Sequence, residues 1–479
     1  FQHKADEPDH RQLYRILQSG IRRGQLAAGL KLPPSRVLAQ ALSIARNTVV
    51  HVYEQLSLEG YVQAGVGRGT FVADADTPRL FDRPPPERRH PRRGSARLSG
   101  RGDQLVGGAA AARQQWGAFA PGVPDVRLFP AAVWARLTAR AWRHAAPAQL
   151  TYACGGGHLP LREAIASYLQ SARGVACSAQ QVVITSGTHQ SLNLVAHLLA
   201  DPGDRVWLED PGYWGARSVL RSQGLQLEPV AVDAEGLAPS AAQLAAPPRL
   251  MCVSPSHQYP LGSVMSHGRR RQLLDYAAAH DTWVVEDDYD SEFRYGARPL
   301  PALQGLDERG RVLYLGTFSK TLFPSLRLAY LVLPSDLVDA FTAALSELYR
   351  EGQTINQTVL ADFIAEGHYA THIRRMRSVY RARHDALIAA LQQHFGDRVP
   401  VIGGDAGLHL VLGLPQTVDD RALARSILAA GVATRPLSMY HLRPQQAGKG
   451  LLLGYGAVDE ADIAPAVAVL ARCLAAVGL

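Results

Sequence analysis

The sequence predicts an α/β chain: a winged helix-turn-helix at the N-terminal end, a linker, and a large layered α/β domain behind it. Three observations carry this reading. Three helical stretches and two short β-like runs crowd into residues 9–72. A stretch rich in proline and arginine follows. From about residue 116, strand-like and helix-like segments alternate, the pattern of layers packed on a sheet. The expected domains are 1–76, a linker over 77–109, and 110–479. A length of 479 residues exceeds one ordinary core.

Composition narrows the class. Hydrophobic content of 47% with 19% charged residues describes a folded protein. No apolar run approaches membrane-spanning length and no signal peptide opens the chain, so no membrane partner is expected. The chain begins at Phe1, from which a missing natural start is expected. Cys154, Cys177, Cys252 and Cys473 lack metal-like or disulfide-like spacing, which fits a reducing cytoplasm.

The net charge of +8 is unevenly placed. Residues 1–76 hold nine Lys/Arg against seven Asp/Glu, and residues 77–103 hold eight arginines against three acids. Those two stretches carry +7 of the +8. An anionic partner at the N-terminal end follows, with nucleic acid the leading candidate.

In chain order, Leu13, Ile16, Leu17 and Ile21 mark a first helix from Asp9 to about Gly24. A second helix is predicted from Pro34 to Leu42, with proline in its first turn. After a break at Ser43-Ile44, a third runs from Arg46 to Glu59 and stops at Gly60. The runs Tyr61-Val62-Gln63-Ala64 and Gly69-Thr70-Phe71-Val72, joined by Gly65-Val66-Gly67-Arg68, read as a glycine-tipped wing. The third helix would enter a major groove and expose Arg46, Asn47 and Thr48 in its first turn. Arginine and asparagine can read base edges, while Thr48 suits a phosphate or a methyl. Arg36, with Gly67 and Arg68 on the wing, would meet backbone phosphates. Three small helices with surface arginines also occur without DNA. Residues 77–109 read as a tether stiffened by Pro78, Pro84, Pro85, Pro86 and Pro91.

Farther on, Gln181-Val182-Val183-Ile184-Thr185 reads as a buried strand running into Ser186-Gly187-Thr188-His189-Gln190 and a helix over 191–199. Small residues at such a turn let backbone N–H groups receive a phosphate, although many such turns bind nothing. Glu209-Asp210-Pro211-Gly212-Tyr213 follows another strand, and Tyr213 there could stack on a flat ring or simply pack. In Thr282-Trp283-Val284-Val285-Glu286-Asp287-Asp288-Tyr289, strand alternation places Asp287 and Tyr289 on one side and Glu286 and Asp288 on the other.

The stretch Gly316-Thr317-Phe318-Ser319-Lys320 and the following Arg327 lie between two strand-like runs. A lysine in a partly buried site commonly serves Schiff-base chemistry, and a nearby arginine clamps a phosphate. A snorkelling surface lysine would leave the same local pattern. Lysine for an aldehyde and arginine for a phosphate together point to pyridoxal 5'-phosphate (PLP). An aspartate such as Asp287 would keep the pyridine nitrogen protonated, and Tyr289 could bond the ring's phenolic oxygen. The acidic cluster could instead hold Mg²⁺, but no phosphate-lysine loop accompanies it, and no metal is expected.

With these pieces in order, residues 110–479 resemble a fold-type I aminotransferase domain, a large mixed-sheet α/β domain plus a small C-terminal α/β subdomain. Leu32-Pro33-Pro34-Ser35-Arg36 and Ala45-Arg46-Asn47-Thr48-Val49 resemble a GntR-type winged helix. The whole chain is similar to the MocR (GabR-like) subfamily of bacterial transcription regulators. The resemblance implies that Lys320 forms the Schiff base, Asp287 faces the pyridine nitrogen and Tyr289 the phenolic oxygen. Gly187, Thr188, Thr317 and Arg327 would hold the phosphate and Tyr213 would stack on the ring. Ser186, Ser319 and Tyr259 are counted among the cofactor contacts. Tyr152 matches a tyrosine that reaches the partner subunit's phosphate, and a head-to-tail homodimer with swapped DNA-binding domains is implied.

There are departures. Ser43 stands where the turn usually has glycine, and Ala45 where a serine usually caps the recognition helix. Leu452, in Leu451-Leu452-Leu453-Gly454-Tyr455, stands where amino-acid-binding members carry a carboxylate arginine. Ser256-His257-Gln258-Tyr259-Pro260-Leu261-Gly262 lacks the asparagine that aminotransferases place before the proline.

The expected function is therefore a DNA-binding regulator that senses PLP or an amino compound, controlling vitamin B6 synthesis or amine metabolism. A working aminotransferase with a DNA-binding appendage is the alternative. With Leu452 in place of an arginine, PLP itself is the favoured effector, because it needs no further binding group. The other class is an amine whose acidic group is held elsewhere, by Arg435 beside Ser438 and Tyr440.

Overall fold

The computed structural model describes residues 1, 7–65, 68–73, 98–107, 117–152, 155–295, 301–350, 352–443 and 447–479. They divide into two compact units, Phe1–Arg97 and Leu98–Leu479. Among the described residues no helix is long and apolar enough to cross a membrane.

The first unit packs α1 (Asp9–Arg22), α2 (Ser35–Leu42) and α3 (Arg46–Leu58) against a two-stranded wing. Leu13, Leu17 and Ile21 of α1 meet Val49, Val52, Tyr53 and Leu56 of α3 in one small core. Ile16, which fits the helical spacing, lies off that stripe and is exposed. Pro34 sits just before α2 instead of in its first turn. The wing is β1 (Val62–Gly65) against β2 (Gly69–Val72), antiparallel, with Val62 opposite Val72. Ser43 ends α2 in the left-handed region at φ 56°, a conformation that costs a non-glycine residue about 1–2 kcal/mol.

The second unit is built on an eight-stranded sheet of order β3-β10-β9-β8-β7-β4-β5-β6. Its strands are β3 (Val182–Thr185), β4 (Arg205–Asp210), β5 (Gln226–Asp233), β6 (Gly236–Leu237), β7 (Leu250–Val253), β8 (Trp283–Asp288), β9 (Val312–Thr317) and β10 (Ala329–Val332). Strands β5, β4, β7, β8 and β9 run parallel. Strand β10 is antiparallel to both β9 and β3, so the sheet is mixed. Apolar side chains cover both faces, as a sheet buried between helices requires. Val183, Leu313, Leu315 and Leu331 enter one core, while Val182, Ile184, Tyr314 and Tyr330 enter another.

Toward the C-terminus, β11 (Val401–Ile402), β12 (His409–Leu414), β13 (Arg435–Pro436) and β14 (Lys449–Gly454) form a second sheet of order β11-β12-β14-β13. The helices His368–Phe395 and Glu460–Ala475 pack beside it. Parallel strands present their C-terminal ends along one sheet edge, where ligands of open α/β sheets bind. Thr188, Tyr213, Tyr259, Asp287 and Lys320 all lie at or just beyond such ends.

Candidate cofactor cavity and nucleic-acid interface

On the first unit, Arg36, Arg46, Asn47 and Arg68 are exposed and Thr48 is half-buried. Arg46 Nε donates to Ser35 Oγ at 3.4 Å, and among the described residues none of the three arginines pairs with a carboxylate. Helix α3 begins after Ala45, whose methyl makes no capping hydrogen bond. Gly67 and most of the arginine-rich tether lie outside the described residues.

On the second unit, a cavity of about 260 Å³ gathers Thr188, Tyr213, Tyr259, Asp287, Tyr289, Thr317, Ser319, Lys320 and Arg327. These residues come from five separate segments of chain. Thr188 opens the helix Thr188–Leu199, which starts three residues earlier than the sequence predicts, so its free N–H groups face this edge. Gly187, just before it, has φ +120°, and a Cβ there would lie 2.9 Å from Arg327 Nη2. Glycine thus lets the guanidinium approach the helix N-terminus. Arg327 is itself left-handed at φ 53°, a strained conformation of the kind that gathers at functional sites.

Of the residues expected to meet the cofactor, Ser186, Gly187 and Tyr152 are not among those that line this cavity. Ser186 lines a neighbouring one with Thr185, Gln190, Tyr349 and Gln353. Its N–H donates to Gln190 Oε1 at 2.5 Å. Tyr152, expected to serve the cavity of a second copy of the chain, is exposed on the surface.

The electrostatics follow from burial. Lys320 Nζ donates to the Gly122 carbonyl at 2.7 Å. Burial holds its ammonium below the ordinary lysine range, while the Asp290 and Asp287 carboxylates pull the other way. Burial, helped by Asp288, raises Asp287 to about 7, with Lys320 opposing. Asp287 Oδ1 is buried with no hydrogen-bond partner. The other two acids of the cluster are saturated by protein. Glu286 accepts from the Leu303 and Gln304 N–H groups at 2.8 Å each. Asp288 Oδ2 accepts from Arg173 Nε at 2.8 Å and from the Tyr314 hydroxyl at 2.6 Å.

Several groups in or behind the cavity escape sequence reasoning. His257 Nδ1 lies 2.9 Å from Asp290 Oδ1 and 2.9 Å from the Tyr289 hydroxyl, linking loops that are far apart in sequence. His257 stood in plain view inside the Tyr259 motif, but nothing local announces its partner. His189 and Trp214 each follow a predicted contact, and the His189 ring meets the Tyr213 hydroxyl at 3.0 Å. Gln258 turns away from the cavity and donates to Glu209, Pro211 and Tyr259 oxygens.

Arg435 lines the cavity with Lys320. Ser438 does not join it. Its hydroxyl and N–H both donate to Asp420, at 2.7 and 2.9 Å, so the pairing of Ser438 with a ligand acid is corrected. The Tyr440 hydroxyl meets that of Tyr259 at 3.1 Å.

The geometry suits PLP. The unpartnered Asp287 oxygen matches a pyridine N–H, and the space kept open at Gly187 beside Arg327 matches a phosphate.

Comparison with known proteins agrees. Residues 10–72 match the model of bacterial regulatory proteins of the gntR family, and residues 121–468 match aminotransferase class I and II. The probable rhizopine catabolism regulatory protein MocR of Rhizobium meliloti is 42% identical, over 95% of this chain and 91% of its own. The pyridoxine biosynthesis transcriptional regulator PdxR of Corynebacterium glutamicum is 30% identical, over 94% of this chain and 92% of its own. Among solved structures, the Pyrococcus horikoshii kynurenine aminotransferase superposes with a TM-score of 0.70 at 26% identity. That likeness covers 80% of this chain and 96% of the enzyme.

Proposed function

The chain belongs to the MocR-type transcription regulators, gntR-family winged helices fused to an aminotransferase-like domain, and from that premise we propose that occupancy of the Lys320 cavity controls its grip on DNA. Its cofactor is PLP. When bound, PLP supplies an aldehyde that condenses with primary amines and an electron-withdrawing ring.

The chain's own residues divide the work. Lys320, whose ammonium form burial disfavours, would hold the aldehyde carbon. Asp287 would hold a proton at the ring nitrogen, and Tyr289 would donate to the phenolic oxygen. The helix N-terminus at Thr188, with Gly187, Thr317, Ser319 and Arg327, would receive the phosphate. Tyr213 would lie against the ring, beside Tyr259, and Tyr152 would reach the same phosphate in a second copy of the chain. This is the arrangement of a head-to-tail homodimer, acting in the cytoplasm, where an operator is to be found. The names of the relatives, a rhizopine catabolism regulator and a pyridoxine biosynthesis regulator, support targets in catabolism or in vitamin B6 synthesis.

The observation that carries this reading is the joining of two unfinished surfaces in one chain. Arg36, Arg46 and Arg68 stand exposed without carboxylate partners among the described residues, and the Lys320 cavity gathers Arg327, Arg435 and Asp287, whose buried Oδ1 accepts no hydrogen bond from the protein. The test is binding of a fluorescent DNA fragment from upstream of the protein's own coding region. Affinity is expected to change several-fold between apo-protein, PLP-bound protein and PLP-bound protein given amines. Equal affinity in all three states sinks the proposal, and sustained turnover with amino donors would favour an enzyme.

A further inference from the structure

We propose that His257 is a positioning residue for the cofactor. Clamped by Asp290, it turns the hydroxyl hydrogen of Tyr289 into the cavity, toward the phenolic oxygen of PLP. This rests on the reading above, in which Tyr289 meets that oxygen.

His257 and Asp290 are both buried. His257 Nδ1 lies 2.9 and 3.1 Å from the two Asp290 oxygens and 2.9 Å from the Tyr289 hydroxyl. Three oxygens thus surround one nitrogen. A carboxylate can only accept, so the ring hydrogen sits on Nδ1. That nitrogen then has no lone pair with which to accept from Tyr289. The tyrosine oxygen shares the Nδ1 hydrogen, and its own O–H must point elsewhere. Among the described residues that O–H meets no other partner, and Tyr289 lines the cavity with Lys320. The far side of the imidazole agrees. Nε2 is buried with no hydrogen-bond partner, so nothing draws the hydrogen to that side.

Packing fixes this arrangement. A Cβ on Gly407 would lie 2.2 Å from His257 Cε1 and 2.5 Å from Asp290 Oδ2, so only glycine lets the chain close over both groups. The Tyr289 ring lies nearly parallel to that of His257, with centroids 5.8 Å apart. Burial raises the Tyr289 hydroxyl well above its ordinary value, so it keeps the hydrogen it has to give. A donor at the cofactor's ring oxygen favours the form in which that oxygen is most negative. It therefore lowers the pH at which the visible band changes. Other titratable groups stand near: Asp287, Glu209 and Tyr259 around Tyr289, His409 beside His257, and Lys320 across from Asp290. Arg173 and Arg294 both hold Ser256, the residue before His257. Variants that share all of these groups are compared below, so their fields cancel in the difference.

The experiment loads full-length wild type, H257L, Y289F and the double variant with PLP and titrates the visible band of each against pH. Y289F should raise the midpoint by about one pH unit, as loss of a hydrogen bond to a charged oxygen implies. H257L should raise it by less, and should add nothing in the Y289F background, because its effect passes through that hydroxyl. H257N, whose side-chain N–H can still reach Asp290, should fall between wild type and H257L. If H257L does not fold, nitrogen-15 spectra of histidine-labelled wild type carry the test. The His257 signals, identified as those lost in H257N, should show the hydrogen on Nδ1. A midpoint unmoved by H257L, a shift that persists in full beside Y289F, or an H257N no closer to wild type than H257L overturns the proposal. So does a hydrogen on Nε2. Failure of the band to form, or of Y289F to move its midpoint, would instead strike the underlying reading.

Discussion

Arg46 on the recognition helix and Arg435 in the Lys320 cavity are both guanidiniums without a carboxylate partner among the described residues. They differ in what surrounds them. Arg46 stands in water at the start of α3, so its field is screened by salt and its partner can be any polyanion that fits a helix. Arg435 is half-buried beside groups whose protonation burial has already shifted, so its partner must be small and placed to within a hydrogen bond. A surface of free charge makes a reader of long anions. A cavity of free charge makes a reader of single molecules.

The largest effect expected is at Lys320. Lys320→Ala should abolish covalent, borohydride-reducible attachment of PLP outright, because no other amine lines the cavity among the described residues. Binding of DNA by the head should persist but lose its response to amines. Fold-stable Lys320→Ala protein that still yields a reduced, covalent adduct would remove Lys320 from the site.

On the head the effects are graded. Arg46→Ala should cost about 1–3 kcal/mol on a specific site and relax preference for it. Arg36→Ala should weaken all sequences alike and flatten the salt dependence by about 0.9 per lost phosphate contact. Neither should alter the visible spectrum. If both variants match wild type on specific and random DNA across salt, α3 is not the reading element.

These contrasts also explain what the sequence made legible. The head could be read from neighbours in the chain: Ala45-Arg46-Asn47-Thr48 lies within one turn, and helix spacing alone exposes it. Asp287, Lys320 and Arg327 could be read because strand ends and alternation are local rules. Arg435 is harder to place, since its position depends on the register of β13 against β14, and no local pattern sets register across so many residues. The His257–Asp290 pair escaped for the same reason. Adjacency places Ser186 with Gly187, but Ser186 sits with Thr185 and Gln190 in the neighbouring cavity, and adjacency in sequence does not say on which side of a turn a side chain falls.

A subtler test bears on buried charge. An amine attacks an aldehyde only when unprotonated, and burial lowers the Lys320 pKa. The rate at which the visible band grows when PLP is added to apo-protein should therefore reach half its plateau below the ordinary lysine value of about 10.4. The sign is set by which form is stabilised. Asp290 favours the charged amine, so Asp290→Asn should move the midpoint further down. A midpoint at or above that of free lysine, or an upward move in the variant, would contradict the electrostatic account.

The smallest effect returns to the exposed end, where the chain has left a helix uncapped. Ala45 precedes α3 with φ −65° and ψ 138°, the extended geometry of a residue before a helix, and offers no side-chain acceptor. The Thr48 N–H reaches only the Ala45 carbonyl, at 3.0 Å. Ala45→Ser would add a hydroxyl acceptor for that first turn, worth about 1 kcal/mol. In a head of this size such a gain moves the unfolding midpoint by roughly 4–8 °C. Calorimetry of the full chain should show the shift in the head's transition alone, with PLP attachment untouched. Operator affinity should hold or rise slightly, because the cap steadies the turn that carries Arg46 and Asn47. An unmoved transition would show that the first turn is already satisfied by solvent. A loss of operator affinity would show that the methyl of Ala45 itself packs against DNA, making that departure from the family pattern a contact and not a defect.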